Sequence, residues 1–473
     1  MAATCAIDLS DVQGGILHGY RLEHAVHLSL HAGTTEAARR CLARLLDEGV
    51  TNALRPDSRP SSTLNVAITY AGFRMLGLSP VLLDRFPLVF RQEARARAAS
   101  LGDVGVSDPQ NWEAHSGTGH VQMTVTAYAD SAALLDERTT SLRELLTDGG
   151  EVEVLPAQQT HALPQMVEHF GFADGGSQPC VEGVPVSDPT RSTVAGGGIP
   201  VGRSDWRPVK LGEFILGYAD EDGHVAEDPT SILVRNGSYV VHRKLVQDVV
   251  AFEASLDRAA AESGLPRELV AAKVIGRWRD GVPLVLSPSR SIDDDTDLSK
   301  AKEPAPANDF RYLPHDRDGF ACPHGAHIRR VNPRDAIVFG DRVHDTGRLT
   351  ARHRIIRRGM PFGAPLDAGI LLGSPEKDQE RGLMFICYNA DIERQFETIQ
   401  RAWCTDGDAF YLGEDQDFLL ANERSSGKMT IPVRGAPPKF ITAPADLVVT
   451  RSMEYLFAPS IRALHRLAAG RFS

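Results

Sequence analysis

Two distant stretches of this chain share one pattern, in which an apolar strand runs into a capped helix. Val121–Tyr128 alternates apolar with polar residues, and Leu383–Tyr388 is an apolar run. Asp130 and Asp391 then stand where a helix can be capped. The segments around these caps, AYADSAALLDERTTSLREL and CYNADIERQFETIQRAW, are weak echoes of one another. The pattern predicts an α+β chain of two related halves, each an antiparallel sheet backed by helices.

A third strand-helix unit lies near the start of the chain. His24–Leu30 alternates apolar with polar residues, and a segment rich in Ala, Arg and Leu follows at Thr34–Leu46. The histidines His24, His27 and His31 invite interpretation as a metal site. Because His27 and His31 fall on the polar side of the strand, we expect a solvated face instead.

A loop-rich insertion around residues 190–315 contains the segments AGGGIPVG, SIDDDTDLSK and AKEPAPANDF. AGGGIPVG follows no clear strand, which argues against a dinucleotide site. The spacing of Asp293, Asp295 and Asp297 is that of a calcium loop, but Leu298 and Pro304 stand where such a loop needs Gly and Glu. We expect one domain over 1–165 and a second, containing the insertion, over 166–473.

Composition argues against several classes of binding partner and indicates the cellular compartment. The formal net charge is −11 and is spread along the chain, so no basic stripe is present for nucleic acid or an anionic membrane. Six cysteines occur singly, which fits neither a zinc site nor a disulfide framework. The first residues lack the pattern of an export signal, and no apolar segment is long enough to span a bilayer. We therefore expect a cytoplasmic protein.

Three segments carry residues suited to redox and acid-base chemistry. GFADGGSQP, residues 171–179, holds the single carboxylate of Asp174 among glycines, with a capped surface turn as the alternative. CPHGAHIRRVNPR, residues 322–334, places an imidazole ahead of several guanidinium groups, which suits a haem iron ligand with arginines beside the propionates. RHRIIRRGMPFG, residues 352–363, puts five cations ahead of a turn and by itself could be a basic loop.

In this order, and with GLMFICYNAD downstream, the three segments resemble the dye-decolourising peroxidase family. The similarity runs almost end to end, through DVQGGILHGY, GEFILGYADE, NGSYVVHRKL and TRSMEYLFAPS. The chain looks most like the larger bacterial members that lack an export signal. The resemblance implies two ferredoxin-like halves, with haem held mainly by the C-terminal half.

The resemblance also assigns roles to individual residues. It makes His327 the axial ligand of the haem iron, with His324, three residues earlier, as the competitor. Asp174 becomes the distal acid-base. Arg357, rather than its neighbour Arg358, becomes the distal arginine because it stands two residues before the turn.

Other residues are expected to complete the pocket. Leu383 and Phe385 would form its distal wall, with ordinary core as the alternative, and Arg330 would join Arg357 in contacting the cofactor. On the proximal side, an acidic partner would raise the basicity of the iron ligand. The candidates for that partner are Asp417 and, behind it, Asp391 and Glu414.

The implied activity is that of a haem peroxidase with one haem b per chain. It would reduce hydrogen peroxide through an oxoferryl intermediate and oxidise dyes, phenols or other aromatic reductants. One alternative keeps the cofactor but retrieves iron from haem, as a deferrochelatase-like protein does. Another is a non-catalytic interaction protein. Homo-oligomerisation is expected by analogy alone.

Overall fold

The computed structural model describes residues 7–185, 194–201, 205–225, 233–289, 308–337, 346–366, 379–423 and 427–472. The strands are β1 (His24–Ala32), β2 (Ser62–Thr69), β3 (Met123–Ala129), β4 (Val152–Val154), β5 (Gln158–His161), β6 (Ile199–Val201), β7 (Asp205–Arg207), β8 (Ser238–Gln247), β9 (Ile356–Arg357), β10 (Met360–Phe362), β11 (Gly382–Asn389), β12 (Met429–Ile431), β13 (Lys439–Ile441) and β14 (Val448–Ala458).

The α-helices are α1 (Gly14–Leu17), α2 (Thr35–Glu48), α3 (Tyr70–Met75), α4 (Pro80–Leu83), α5 (Leu88–Arg97), α6 (Ala132–Thr147), α7 (Val194–Gly197), α8 (Val249–Ser263), α9 (Arg267–Ile275), α10 (Tyr312–Asp316), α11 (His327–Val331), α12 (Thr346–Ala351) and α13 (Ile461–Ala468). A π-helix spans Glu393–Cys404.

The main sheet consists of two copies of one arrangement. Its described strands run in the order β10-β11-β8-β14-β2-β3-β1-β4, with β5 paired to β1 and β9 to β11. In the first half, the chain order β1-α2-β2-β3-α6-β4 gives the spatial order β2-β3-β1-β4. In the second half, β8-α8-β10-β11-π-helix-β14 gives β10-β11-β8-β14, which is the same permutation. This is the ferredoxin-like topology, and the predicted α+β fold with antiparallel pairing is confirmed.

The echo in the sequence marks equivalent positions in the two halves. β3 with α6, and β11 with the π-helix, are the third strand and second helix of their halves. The cap expected at Asp391 is present, since its Oδ1 accepts from the backbone N–H of Arg394 at 3.0 Å. The cap expected at Asp130 is wrong, because Ser131 occupies that position and its Oγ accepts from the backbone N–H of Leu134 at 3.4 Å.

The two halves share one core. β14 of the second half pairs with β2 of the first, with Phe457 opposite Ile68, and the largest cluster of buried apolar side chains draws on both halves. A buried polar contact reinforces this junction. Glu397 on the π-helix accepts hydrogen bonds from Arg97 Nη2 at 2.6 Å and from the Tyr455 hydroxyl at 2.8 Å. Because this contact is buried, removing one partner would leave an uncompensated polar group. The domain boundary at residue 165 stays a prediction.

Much of the insertion, including Asp293, Asp295 and Asp297, lies outside the described residues. The AGGGIPVG segment is described as far as residue 201, where it forms α7 and β6. Gly196 has a φ of +74°, and a Cβ there would lie 2.0 Å from the carbonyl oxygen of Asn308. This glycine therefore serves close packing of two backbones.

Two further observations concern the apolar character of the helices and the state of the cysteines. Within the described ranges, no helix combines the length and the apolar character needed to cross a bilayer. The five cysteines that the structure describes are all buried and free.

The expectation of a solvated histidine face on β1 is wrong. β10, at one end of the sheet, lies against β5 at the other, so the sheet curls and encloses its second face. His27 is 3% exposed, and its Nδ1 lies 3.1 Å from Thr126 Oγ1. Its ring packs edge-on against that of His242, 5.9 Å away. Alternation along a strand indicates which residues share a face, but it does not show whether a second layer covers that face.

These buried histidines predict loss of stability in acid. Burial, aided by the nearby His242, lowers the pKa of His27 to about 3, and burial lowers that of His242 to about 4. Below the unfolded pKa of about 6.5, the unfolded chain therefore binds protons that the folded chain does not. The contribution of these histidines to the free energy of unfolding is fully present above that pH and is lost as the pH drops towards 4. At pH 5 the expected loss is about 2 kcal/mol per histidine.

Urea unfolding at pH 7 and pH 5 measures this effect. His27→Asn and His242→Asn should each reduce the loss of unfolding free energy between the two pH values. The exposed His465→Asn is the control and should leave the loss unchanged. An equal loss in all three variants and the wild type would contradict the assignment.

Candidate active site

A cavity of about 230 Å³ lies between the amino-terminal segment and the strands β10 and β11. Its wall is drawn from both halves of the chain. Residues 15–22 contribute from the first half, and the loop after residue 171 contributes from the second. The lining residues that bear on its chemistry are Tyr20, Asp174, Gln178, Arg357, Leu383 and Phe385.

Asp174 and Arg357 meet in this cavity. Asp174 lies in a loop that turns at Gly171 and Gly175, where φ is +85° and +86°. Its Oδ1 accepts from Arg357 Nη1 at 2.9 Å and from the backbone N–H of Gly175 at 2.6 Å. Among the described residues, none is bonded to Oδ2. One carboxylate oxygen is thus fixed, and the other is available to a small molecule in the cavity.

The electrostatic surroundings keep Asp174 ionised. Its side chain is 43% exposed, but the cavity is lined by protein, and burial opposes the charge. The charge of Arg357 and the hydrogen bonds from Gly175 and Arg357 outweigh that cost and hold the pKa of Asp174 below its usual value. A carboxylate in this state can accept a proton.

The choice of Arg357 over Arg358 agrees with the geometry. β9 presents the Arg357 side chain to Asp174, whereas Arg358 Nε donates to the carbonyl oxygen of Gly15 at 2.9 Å. The turn that follows requires glycine, since a Cβ on Gly359 would lie 2.3 Å from the carbonyl oxygen of Met384. Arg358 therefore ties this turn to the amino-terminal segment.

His327 begins α11, and its ring is held at one nitrogen. Its Nδ1 lies 2.8 Å from Asp417 Oδ2. Within the part of the chain that the structure describes, Nε2 has no partner, and the side chain is 28% exposed. His324 is engaged differently, because its Nε2 lies 3.0 Å from the carbonyl oxygen of Arg317. Of the two histidines, His327 is the one that a buried carboxylate orients and on which the charges of Arg357 and Asp174 act, whereas His324 is surrounded by Arg329, Asp316 and Asp318.

Asp417 is fully buried and is itself fixed by the backbone. Its Oδ1 accepts from the N–H groups of Leu419 at 3.0 Å and Leu420 at 3.3 Å. Burial would disfavour a charge on His327, but the charge and hydrogen bond of Asp417 outweigh burial and raise the pKa of His327. Asp391 caps the π-helix instead, and neither it nor Glu414 bonds to His327.

The structure does not place Arg330, expected at the cofactor, among the residues that line the cavity. Its side chain is fully buried, and its guanidinium donates to four backbone carbonyl oxygens. The acceptors are those of Gly325 at 3.2 Å, Trp403 at 2.6 Å, Asp406 at 3.3 Å and Asp415 at 2.9 Å. Arg330 therefore holds α11 against the π-helix and the segment that carries Asp417. The motif contained several arginines, and their spacing did not show which of them turned inwards.

Sequence reasoning missed a cluster of buried cations beside Asp174. Arg354 is 7% exposed, and of the described residues only Ser177 accepts from its guanidinium, at 3.2 Å. Burial and the neighbouring charge of Arg357 lower the pKa of Arg354 to about 10. Burial lowers that of Arg334 to about 9, with repulsion from Arg277 and Arg354 contributing. Mutually repelling buried cations are suited to binding an anionic group. Arg334 and Arg354 belong to the same arginine-rich motifs as His327 and Arg357, which is the signal that could have identified them.

Leu383 and Phe385 lie on β11 and both line the cavity, as expected. Phe385 also packs against the main core, with its ring 6.1 Å from that of Phe396. Phe385 therefore lies at the cavity wall and against the core at once, and its contact with a cofactor stays a prediction.

These residues fit haem. Among the described residues, no group of three or more His, Cys, Asp or Glu side chains could hold a bare metal ion. A single imidazole suits an iron whose other ligands come from a porphyrin. Asp174 and Arg357 line the cavity, and the charges of both act on the pKa of His327, so the three side chains lie within electrostatic range of one another. The cation cluster complements carboxylates, and the wall of Leu383 and Phe385 complements an apolar ring.

Comparison with known proteins identifies the family. The family model "Dyp-type peroxidase, C-terminal" matches residues 219–412. Multifunctional dye peroxidase DyP2 of an Amycolatopsis species is 30% identical over 363 residues, which cover 72% of this chain and 67% of that protein. Peroxidase 2 of Mycetinis scorodonius is 29% identical over 490 residues, 98% of this chain and 88% of that one. The solved structure of an ancestral D-type dye-decolourising peroxidase superposes with a TM-score of 0.79 at 26% identity, covering 98% of this chain and 99% of that one. This chain belongs to the dye-decolourising peroxidase family, a family of haem-containing oxidoreductases.

Proposed function

We propose that this chain is a haem peroxidase that uses hydrogen peroxide to oxidise dyes, phenols or other aromatic reductants. The observation that carries the proposal is the presence of two arrangements within electrostatic range of each other. One is a histidine with a free Nε2 backed by a buried carboxylate, and the other is a carboxylate held ionised by an arginine. The names of the relatives, which are peroxidases, support the same activity.

Specific residues would hold the cofactor. His327 would bind the iron through Nε2, and Leu383 and Phe385 would contact the ring. Arg354, with Arg334 and Arg277 behind it, would face the carboxylates of one haem b per chain. When bound, the haem iron supplies the redox chemistry that cleaves the O–O bond of hydrogen peroxide.

Asp174 would move the proton. The free Oδ2 of the ionised carboxylate accepts a proton from one oxygen of hydrogen peroxide and returns it to the other oxygen, which leaves as water. Oδ1 stays bonded to Gly175 and Arg357 throughout. This bonding prevents the carboxylate from rotating away during the transfer.

Arg357 would serve two purposes. Its charge keeps Asp174 ionised before the reaction, and it stabilises negative charge that develops on the leaving oxygen. On the opposite side, Asp417 would increase the basicity of His327 by accepting its Nδ1–H.

The alternative of a deferrochelatase-like, iron-retrieving protein is not favoured. The curated relatives are named peroxidases, and an acid-base pair poised beside the cavity serves peroxide chemistry directly. Self-association and a cytoplasmic location stay predictions. The buried, free cysteines described above support the second of these.

Replacing Asp174 tests the acid-base assignment. Asp174→Asn keeps the size of the side chain but removes the proton acceptor. The rate constant for the change in haem absorbance on mixing with hydrogen peroxide should fall about 100- to 10,000-fold. Asp174→Glu is the control, because it keeps a carboxylate and should retain part of the rate. Normal peroxide reactivity in Asp174→Asn, with haem bound as in the wild type, would remove Asp174 from this role.

Replacing Arg357 tests the electrostatic assignment through pH. Because the pKa of Asp174 is held below its usual value, the wild-type peroxide reaction should persist at acidic pH and decline only as the pH falls through that low pKa. Arg357→Leu removes the charge but leaves the burial, so the acid midpoint should move upwards by about 1 to 3 pH units. Arg357→Lys keeps a charge and should move it less. An unchanged midpoint in Arg357→Leu would contradict the pairing.

A further inference from the structure

Gln178 hydrogen-bonds to the backbone of Arg357 with both ends of its side-chain amide. Its Nε2 donates to the carbonyl oxygen of Arg357 at 2.9 Å, and its Oε1 accepts from the backbone N–H of Arg357 at 3.1 Å. Both bonds reach across 179 positions of sequence to a single residue. The amide therefore acts on Arg357 as a neighbouring peptide group would, and this pair of hydrogen bonds is called the clamp below.

This contact completes the pairing of a very short strand. β9 spans only Ile356–Arg357 and pairs with β11 on one side, where Arg357 lies opposite Cys387. On the second side, Gln178 is the only partner of the Arg357 N–H among the described residues, whereas the carbonyl oxygen also accepts from Arg358 Nη1 at 2.9 Å. Partly buried N–H and C=O groups need such partners, so the amide stabilises β9 in its observed position.

The same loop binds the other end of Arg357. Asp174, four residues before Gln178, accepts from the guanidinium, while Gln178 holds the backbone. Between them, Ser177 accepts from Arg354 through its carbonyl oxygen at 3.2 Å and from Arg277 through its Oγ at 3.2 Å. Pro179 follows and restricts Gln178 to extended backbone. The loop thus holds both the backbone and the guanidinium group of Arg357.

We propose that Gln178 is a positioning residue for the peroxide reaction, which aligns Arg357 with Asp174 by holding the backbone of β9. The inference rests on the function proposed above. Without the clamp, the ion pair can still form, but β9 is free to shift relative to the loop. A displacement of about 1 Å at a catalytic group can cost about 100-fold in rate.

The pH profile separates this role from general support of the fold. Asp174 is faced by Arg357, Arg277, Glu168 and His327, and of these Gln178 holds only Arg357. A looser Arg357 favours the carboxylate charge less. Gln178→Ala should therefore slow the peroxide reaction about 10- to 100-fold and raise its acid midpoint, while haem stays bound. Gln178→Glu, which keeps the acceptor but removes the donor, should act in the same direction.

The chain offers a matched control. Gln13 makes the same clamp on Val66 of β2, with Nε2 donating to the carbonyl oxygen at 2.8 Å and Oε1 accepting from the N–H at 2.9 Å. Gln13 does not line the cavity described above. Gln13→Ala should lower the thermal unfolding midpoint without moving the acid midpoint of the peroxide reaction.

A double-mutant cycle tests the route of action. If Gln178 acts through Arg357, then Gln178→Ala should add no further slowing in an Arg357→Leu background. Equal slowing in both backgrounds, or a wild-type rate and midpoint in Gln178→Ala, would overturn the proposal. Failure of the proposed function looks different, because the wild-type protein itself would then bind haem without reacting with peroxide.

Discussion

The ion pair between Asp174 and Arg357 is the contact on which the rest of the site depends. It joins a glycine-rich loop to a two-residue strand. The pair fixes one oxygen of Asp174, leaves the other open to the cavity and holds the carboxylate in its charged form. His327 is oriented by a buried carboxylate in a comparable way, through the contact between its Nδ1 and Asp417 Oδ2. Asp174 Oδ2 and His327 Nε2 are thus each left free on a side chain that a charged partner holds in place.

Much of this arrangement could be predicted from the sequence. The strand-helix echo predicted two related halves because a repeated hydrophobic pattern folds into a repeated unit, and both halves have the same strand order. The positions of Asp174, Arg357 and His327 followed from motif resemblance. Asp417, 90 residues away from His327, was the first of three acidic candidates, and the fold shows that it is the one that contacts His327.

The errors and omissions share a physical cause. Sequence patterns give the residue types and the faces they share, but not what covers a face. His27 was expected in solvent and is enclosed, because the sheet curls. Arg330 was expected at the cofactor and instead donates to backbone carbonyls, while Arg354 from the neighbouring motif donates to Ser177 in the loop that carries Asp174. The clamp made by Gln178 could not be foreseen, since its partner is a backbone whose identity no side chain reveals.

The central claim is that the Nε2 of His327 would be the protein ligand of the haem iron. The most direct measurement is the absorption spectrum of His327→Gly loaded with haem, recorded with and without added imidazole. The spectrum should differ from that of the wild type, and imidazole, which can occupy the vacated position, should restore it. A wild-type spectrum in His327→Gly without imidazole would contradict the claim, because another residue would then be the ligand.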